Sequence, residues 1–154
     1  VTSMTSIFSM PIRSDKAGDG HFMARRGTRY HKGIDLKCNP GTMIESPISG
    51  KITKIGYPYF GDTHYRYVEI EDNHSYVFRF FYVENIPNVE LGYFVKEGEL
   101  FAIVQDISSR YPDDSKPMQN HIHLEMYSKE RIKDYIDPTP FYHLGRENYL
   151  KWNK

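Results

Sequence analysis

Two short segments of the chain carry side chains able to hold a metal ion. In "RYHKGIDLKCNP" an imidazole, His31, and a carboxylate, Asp35, stand four residues apart with Gly33 between them. In "NHIHLEMY" two imidazoles, His121 and His123, are followed by Glu125 at the same two-residue spacing. In a β-strand, residues i, i+2 and i+4 point to one face. His121, His123 and Glu125 then share a face, and Ile122, Leu124 and Met126 are left for the core. The two histidines are about 7 Å apart at Cα, from a rise of ~3.3 Å per residue. One of them can bind a metal while the other stands beside an open coordination position. His31 and Asp35 converge if the backbone loops, and Gly33 permits a loop. Two imidazole nitrogens and one carboxylate oxygen, with a fourth position open, are the donor set expected of a catalytic zinc. A two-His-one-carboxylate set also serves non-haem iron oxygenases, which usually place the histidine and carboxylate closer together on one strand. Each half is weak by itself, since HxxxD arises by chance and HxH is often a structural or surface pair. Their conjunction beside apolar β sequence and glycine turns carries the inference.

The elements that must position these residues read as strands. "TMIESPISGKITKIG" alternates apolar and polar residues around Pro47 and Gly50, giving two short strands and a tight turn. "HYRYVEIED" alternates likewise and can turn at Asp72-Asn73. "SYVFRFFYVENI" is rich enough in β-formers for one central strand. "VKEGELFAIV" turns at Glu97-Gly98 into a buried strand. "SKERIKDYID" predicts one or two helical turns stopped by Pro138, and residues 1–30 predict loops around one short strand. The expected fold class is mainly β, a single antiparallel domain over 1–154 with its core at about 11–142 and a C-terminal tail at 143–154.

Composition narrows the function. The 20 basic and 20 acidic residues cancel, so no global field attracts nucleic acid or an anionic membrane. No run approaches the ~18 apolar residues of a membrane span, and the first residues lack the pattern of a secretory signal. The lone cysteine, Cys38, excludes an internal disulfide and a Cys-based zinc site. Its expected role is a small half-buried side chain. Thirteen tyrosines and nine phenylalanines exceed what one core absorbs, and tyrosine suits a wet groove.

Taken together the motifs resemble the LytM/lysostaphin-type zinc endopeptidases, peptidase family M23. That family carries HxxxD and HxH separated by β structure. Here "GTMIESPISGKITKIG" is similar to its stretch after the first motif, "GDGHFMARRGTRYHKGIDL" to its lead-in, "VKEGELFAIV" to its glycine turn and "YIDPTPFY" to its tail. The resemblance, over about 11–142, implies a groove-bearing fold of the duplicated hybrid motif type. It implies Zn2+ held by His31, Asp35 and His123, with His121 as general base. It implies action on peptide cross-links or stem peptides of bacterial peptidoglycan, at the cell wall. A monomer is expected, and a phage lysin or a released domain of a secreted bacterial enzyme fits a chain without its own export signal. Active members usually have a further histidine in a "YxHL" strand, where this chain has Tyr82 in "RFFYVENI". The same replacement marks a subgroup resembling leukocyte cell-derived chemotaxin, regarded as non-enzymatic, so a non-catalytic zinc module that binds a glycan or protein is the alternative. A phenol can still donate to a developing oxyanion. Glu125 is a candidate to orient one imidazole, or else a solvated charge at a strand end. Phe22, Arg25, Tyr57 and Tyr111 are candidates for the groove wall, against ordinary packing. His21, His64, His74 and His143 lie outside the paired motifs and read as surface or structural residues.

Overall fold

Stretches that alternate branched or aromatic residues with polar ones fold as strands, because each can bury one face and present the other. The computed structural model describes residues 4–130 and 135–152. Seven strands form one antiparallel sheet. From one edge its order is Phe94–Val95, Gly50–Gly56, Tyr67–Glu71, Tyr76–Phe81 and His121–Ser128. Two short strands share the far side of His121–Ser128. Ile34–Lys37 pairs with its first half and Tyr135–Ile136 with its second. A smaller sheet runs Met4–Thr5, Met43–Glu45, Leu100–Val104, Val83–Asn85. Its first pair is parallel and the rest are antiparallel.

The core lies on one face of the large sheet. Ile52, Ile70, Phe80, Ile122 and Leu124 from that sheet join Ile44, Ala102 and Val104 from the small one in a single buried cluster. Phe80 and Phe101 meet edge to face with centroids 5.0 Å apart. The alternate residues put Glu69, Arg79, Phe81, His121, His123 and Glu125 on the opposite face. The apolar registration of the strands thereby fixes which side chains can meet in the site. No helix among the described residues is long and apolar enough to cross a membrane.

The sequence misleads in three places. "SYVFRFFYVENI" is not one strand but two, Tyr76–Phe81 and Val83–Asn85, in different sheets. Tyr82 lies between them with φ +67°. Nor is "SKERIKDYID" a helix in its described part. Tyr135–Ile136 is a strand paired with Met126 and Tyr127, and residues 131–134 lie outside the described residues. Pro138 precedes a helix instead of stopping one. The Asp137 carboxylate accepts the Thr139 backbone N–H at 2.9 Å, and the segment Thr139–Trp152 follows, with non-helical backbone at Gly145. A side-chain acceptor, with prolines confined to the start, is what a helix N-terminus favours. The expected tail thus belongs largely to this helical segment. Residues 4–30 hold the Met4–Thr5 strand and two small hairpins, Ser14–Asp15 with Gly18–Asp19 and Arg25–Arg26 with Arg29–Tyr30. Too short to show alternation, they escape a pattern-based reading.

Candidate metal centre

Asp35 lies on Ile34–Lys37, directly opposite His123 in the strand register. His31 approaches from the loop before it, its backbone N–H bonded to the Ala24 carbonyl at 2.8 Å. Gly33 serves contact rather than bending. It is absent from the residues with left-handed φ, and a Cβ there would lie 2.0 Å from the Leu124 carbonyl oxygen and 3.1 Å from His123 Cε1. Only a residue without a side chain lets this segment close onto the strand bearing His123.

Three donor atoms converge. His31 Nε2 is 3.0 Å from Asp35 Oδ1 and 2.9 Å from His123 Nδ1, and His123 Nδ1 is 2.9 Å from Asp35 Oδ1. The outer ring nitrogens meet acceptors: His31 Nδ1 the His21 carbonyl at 2.9 Å, His123 Nε2 the Glu125 carboxylate at 3.0 Å. Each acceptor claims the ring's single proton, so in the neutral rings both inner nitrogens present lone pairs. Three buried lone pairs facing one another demand a positive charge among them, and the donor set fits a divalent metal such as zinc. The titration of the cluster expresses the same demand. Burial opposes charge on His123, yet its contacts with Asp35 and Glu125 push it up to about 9. Burial would raise the Asp35 carboxyl, but its contacts with His123 and His31 hold it well below the usual carboxylate range.

The second Asp35 oxygen is occupied elsewhere. Arg13 Nη1 donates to Oδ2 at 3.0 Å, and Arg26 Nη2 approaches it at 3.5 Å. Buried Arg13 is itself clamped by Asp15, through Nε at 2.7 Å and Nη2 at 3.1 Å. Asp35 therefore turns one oxygen inward and keeps the other on guanidinium.

His121 stands next to the three donors but is not one of them. Its Nδ1–H donates to the Gln119 carbonyl at 2.8 Å, and its Nε2 is 3.6 Å from Asp35 Oδ2, beyond hydrogen-bond range. Burial lowers its pKa against the pull of Asp35, so the ring is neutral at pH 7 with a lone pair on Nε2. The Tyr82 ring sits edge-on to it at 5.7 Å. Burial pushes the Tyr82 phenol up to about 12, so it keeps its proton. Both line a groove of about 540 Å³ with His31, Asp35 and His123 on its surface. Its walls include Arg13, just before the first small hairpin, Arg26 from the second, Tyr59, and Tyr111 and Lys116 from the loop before His121. Arg110 packs 3.8 Å over the Tyr59 ring and pairs with Asp62. Tyr111 donates to the Tyr59 hydroxyl at 2.7 Å, tying the two loops together.

Residues 29–138 match the sequence model of Peptidase family M23. The chain belongs to this family. It is 26% identical over 127 residues to leukocyte cell-derived chemotaxin-2 of Mus musculus, covering 82% of this chain and 76% of that one. The antimicrobial peptidase lysostaphin from Staphylococcus simulans superposes with a TM-score of 0.65 at 21% identity, over 88% of this chain. This chain spans about half of that one, 51%. A zinc containing peptidase from Vibrio cholerae superposes with a TM-score of 0.54 at 24% identity, over 80% of this chain and 36% of that one. The M23 fold, mainly β with antiparallel sheets, is what these likenesses share.

Within the M23 chain the structure sorts the sequence-derived candidates. His31, Asp35 and His123 come together, His121 and Tyr82 join them in the groove, and Glu125 bonds His123 instead of solvent. Of the four wall candidates only Tyr111 lines the groove. Phe22 packs against the core. Arg25 is exposed, while its neighbour Arg26 turns inward. Tyr57 is 51% exposed, and Tyr59 takes the wall position. The sequence pattern does not mark Arg13, Arg26 or Tyr59 as groove residues. The one available signal was Arg13-x-Asp15, a spacing that puts opposite charges on one face of an extended chain. Cys38 is half-buried, and burial pushes its thiol up to about 12, so it stays a packing residue.

Proposed function

We propose that this M23 chain is a zinc-dependent endopeptidase acting at the bacterial cell wall on peptide cross-links or stem peptides of peptidoglycan. The observation that carries the reading is His121, a buried neutral imidazole with its Nε2 lone pair unengaged beside three converging donors. His31 Nε2, Asp35 Oδ1 and His123 Nδ1 would hold the zinc. When bound there, zinc lowers the pKa of a water to ~7 and polarises a carbonyl.

The chain's own groups do the rest. His121 Nε2 takes a proton from the attacking water as the new C–O bond forms. It returns that proton to the amide nitrogen as the C–N bond breaks, leaving a carboxylic acid and an amine. The Tyr82 hydroxyl donates to the developing oxyanion, a contribution typically worth ~3 kcal/mol. Glu125 and the His21 carbonyl keep the two ligating rings in the required tautomers. Arg13 and Arg26 keep Asp35 pointed inward. The protein acts as a monomer, reaching the wall as a phage lysin or as part of a secreted bacterial enzyme.

Tyr82 and the likeness to chemotaxin-2 favour a second reading, a zinc module that binds a glycan or protein without cleaving it. Incubation with purified peptidoglycan separates the two. Zinc-loaded protein is expected to release fragments bearing new free amines by mass spectrometry. A fully zinc-loaded sample that releases none overturns the peptidase and leaves the binding module.

A further inference from the structure

We propose that the basic hairpin beside the metal centre is a subsite for a side-chain carboxylate of a peptide ligand. The inference deepens the endopeptidase reading, and rests on it for the peptide nature of the ligand.

The chain is neutral overall, yet residues 20–34, "GHFMARRGTRYHKGI", hold Arg25, Arg26, Arg29 and Lys32 and no acidic residue. The hairpin register places Arg26 directly opposite Arg29. Like charges facing one another across a strand pair destabilise it. Arg26 is partly compensated, donating to the Asp19 carbonyl at 2.6 Å and reaching Asp35. Arg29 and Lys32 have no ion pair among the described residues. The Lys32 ammonium instead sits 5.1 Å over the Tyr135 ring.

These cations are gathered around a space. Arg26, Arg29 and Lys32 line a recess of about 270 Å³ that shares His31 and His123 with the metal centre. The one carboxylate in its lining, Glu125, is already committed. It accepts from His123 Nε2 at 3.0 Å and lies 3.9 Å from Arg79. The recess therefore presents a positive wall abutting the reactive centre. Departures from local charge rules concentrate where a ligand supplies the missing partner. Guanidinium and ammonium groups lining one recess suit a carboxylate. Because the recess shares His31 and His123 with the donor cluster, that carboxylate belongs to a residue close to the peptide bond bound there.

The test uses the zinc-loaded protein and fluorophore-labelled pentaglycine peptides in which glutamate replaces each glycine in turn, each with a glutamine twin. Binding is read by fluorescence anisotropy at low and high salt, and cleavage in the same mixtures by mass spectrometry. At least one glutamate peptide is expected to bind about tenfold more tightly than its twin, the scale of one charge-assisted hydrogen bond at a partly exposed site. The preference should shrink with salt. It should vanish in an Arg29→Ser, Lys32→Ser variant whose zinc content and melting temperature show that it is folded. Equal binding of twins at every position, or a preference that survives in that variant, overturns the subsite. A charge preference in a protein that cleaves neither these peptides nor purified peptidoglycan supports the subsite while removing the endopeptidase reading. Cleavage without a charge preference does the reverse.

Discussion

Which nitrogen of each histidine carries the proton decides what that histidine does here. His31 and His123 spend their protons on outer partners and turn lone pairs toward Asp35. His121 spends its proton on Gln119 and leaves a lone pair in the groove. The roles separate by mutation. His123→Ala removes a donor, so both zinc content and turnover should fall to background. His121→Ala should keep zinc by elemental analysis and lose turnover, and a variant that still cleaves at the wild-type rate removes His121 as the base. Glu125→Ala frees the His123 ring to adopt the wrong tautomer. Zinc affinity, measured by competition with a chelating dye, should fall about 10–100-fold, while Glu125→Gln, which retains an acceptor oxygen, should lose less. The histidines and Asp35 were legible because their spacing restricts the chemistry they can share. Arg13, Arg26 and Tyr59 were not. Arg26 sits in a two-residue strand, where a one-residue change of register exchanges it with outward-facing Arg25, and Arg13 and Tyr59 sit in short segments with no periodicity to show which way they face.

Long alternating strands announce themselves, but the points where they approach, break or switch sheets do not. Tyr82 is the clearest case. Alternation along Tyr76–Phe81 puts Phe81 on the site face, against His123 at 5.1 Å. Continued alternation would turn the next residue away. The left-handed backbone at Tyr82, held by its N–H to the Arg66 carbonyl at 2.7 Å and its carbonyl to the Gln105 N–H at 2.9 Å, brings two consecutive rings into the site instead. That conformation costs a non-glycine residue ~1–2 kcal/mol, and no residue type in "RFFYVENI" signals it. Gly33 is the converse, visible in the sequence but with a role set by its neighbour strand. Gly33→Ala drives a methyl into the Leu124 carbonyl, a backbone atom that can yield only by opening the ladder between Ile34–Lys37 and His121–Ser128. Asp35 rides on that ladder. The variant should therefore lose stability by more than the few tenths of a kcal/mol of an ordinary surface change, and lose zinc affinity with it. Chemical denaturation and the same dye competition would show both, and a Gly33→Ala variant with unchanged zinc affinity would show that the close approach does not position the site.

Across the whole molecule, the large sheet gives its apolar face to the core and its polar face to the centre, so the donors are anchored on parts that the core alone holds together. His31 comes from a loop, Asp35 from an edge strand and His123 from an interior strand, joined to the core by Ile34, Leu36, Ile122 and Leu124. An ion gripped by all three binds the folded chain and not the unfolded one, where those residues are 92 positions apart at their extremes. Binding then stabilises folding by RT ln(1 + [L]/Kd), about 4 kcal/mol when free metal exceeds Kd a thousandfold. In a domain of this size each kcal/mol moves the melting temperature by roughly 2–4 °C. Chelation should thus lower it by about 8–16 °C, reversibly on adding zinc back. The unfolding should stay cooperative, because the apolar cluster does not depend on the ion. His123→Ala, which lacks one donor, should melt at the same temperature with and without chelator. If wild-type protein stripped of metal melted where the zinc-loaded protein does, the three donors would not be acting as one ligand set, and the polar face of the sheet would need another explanation for burying them together.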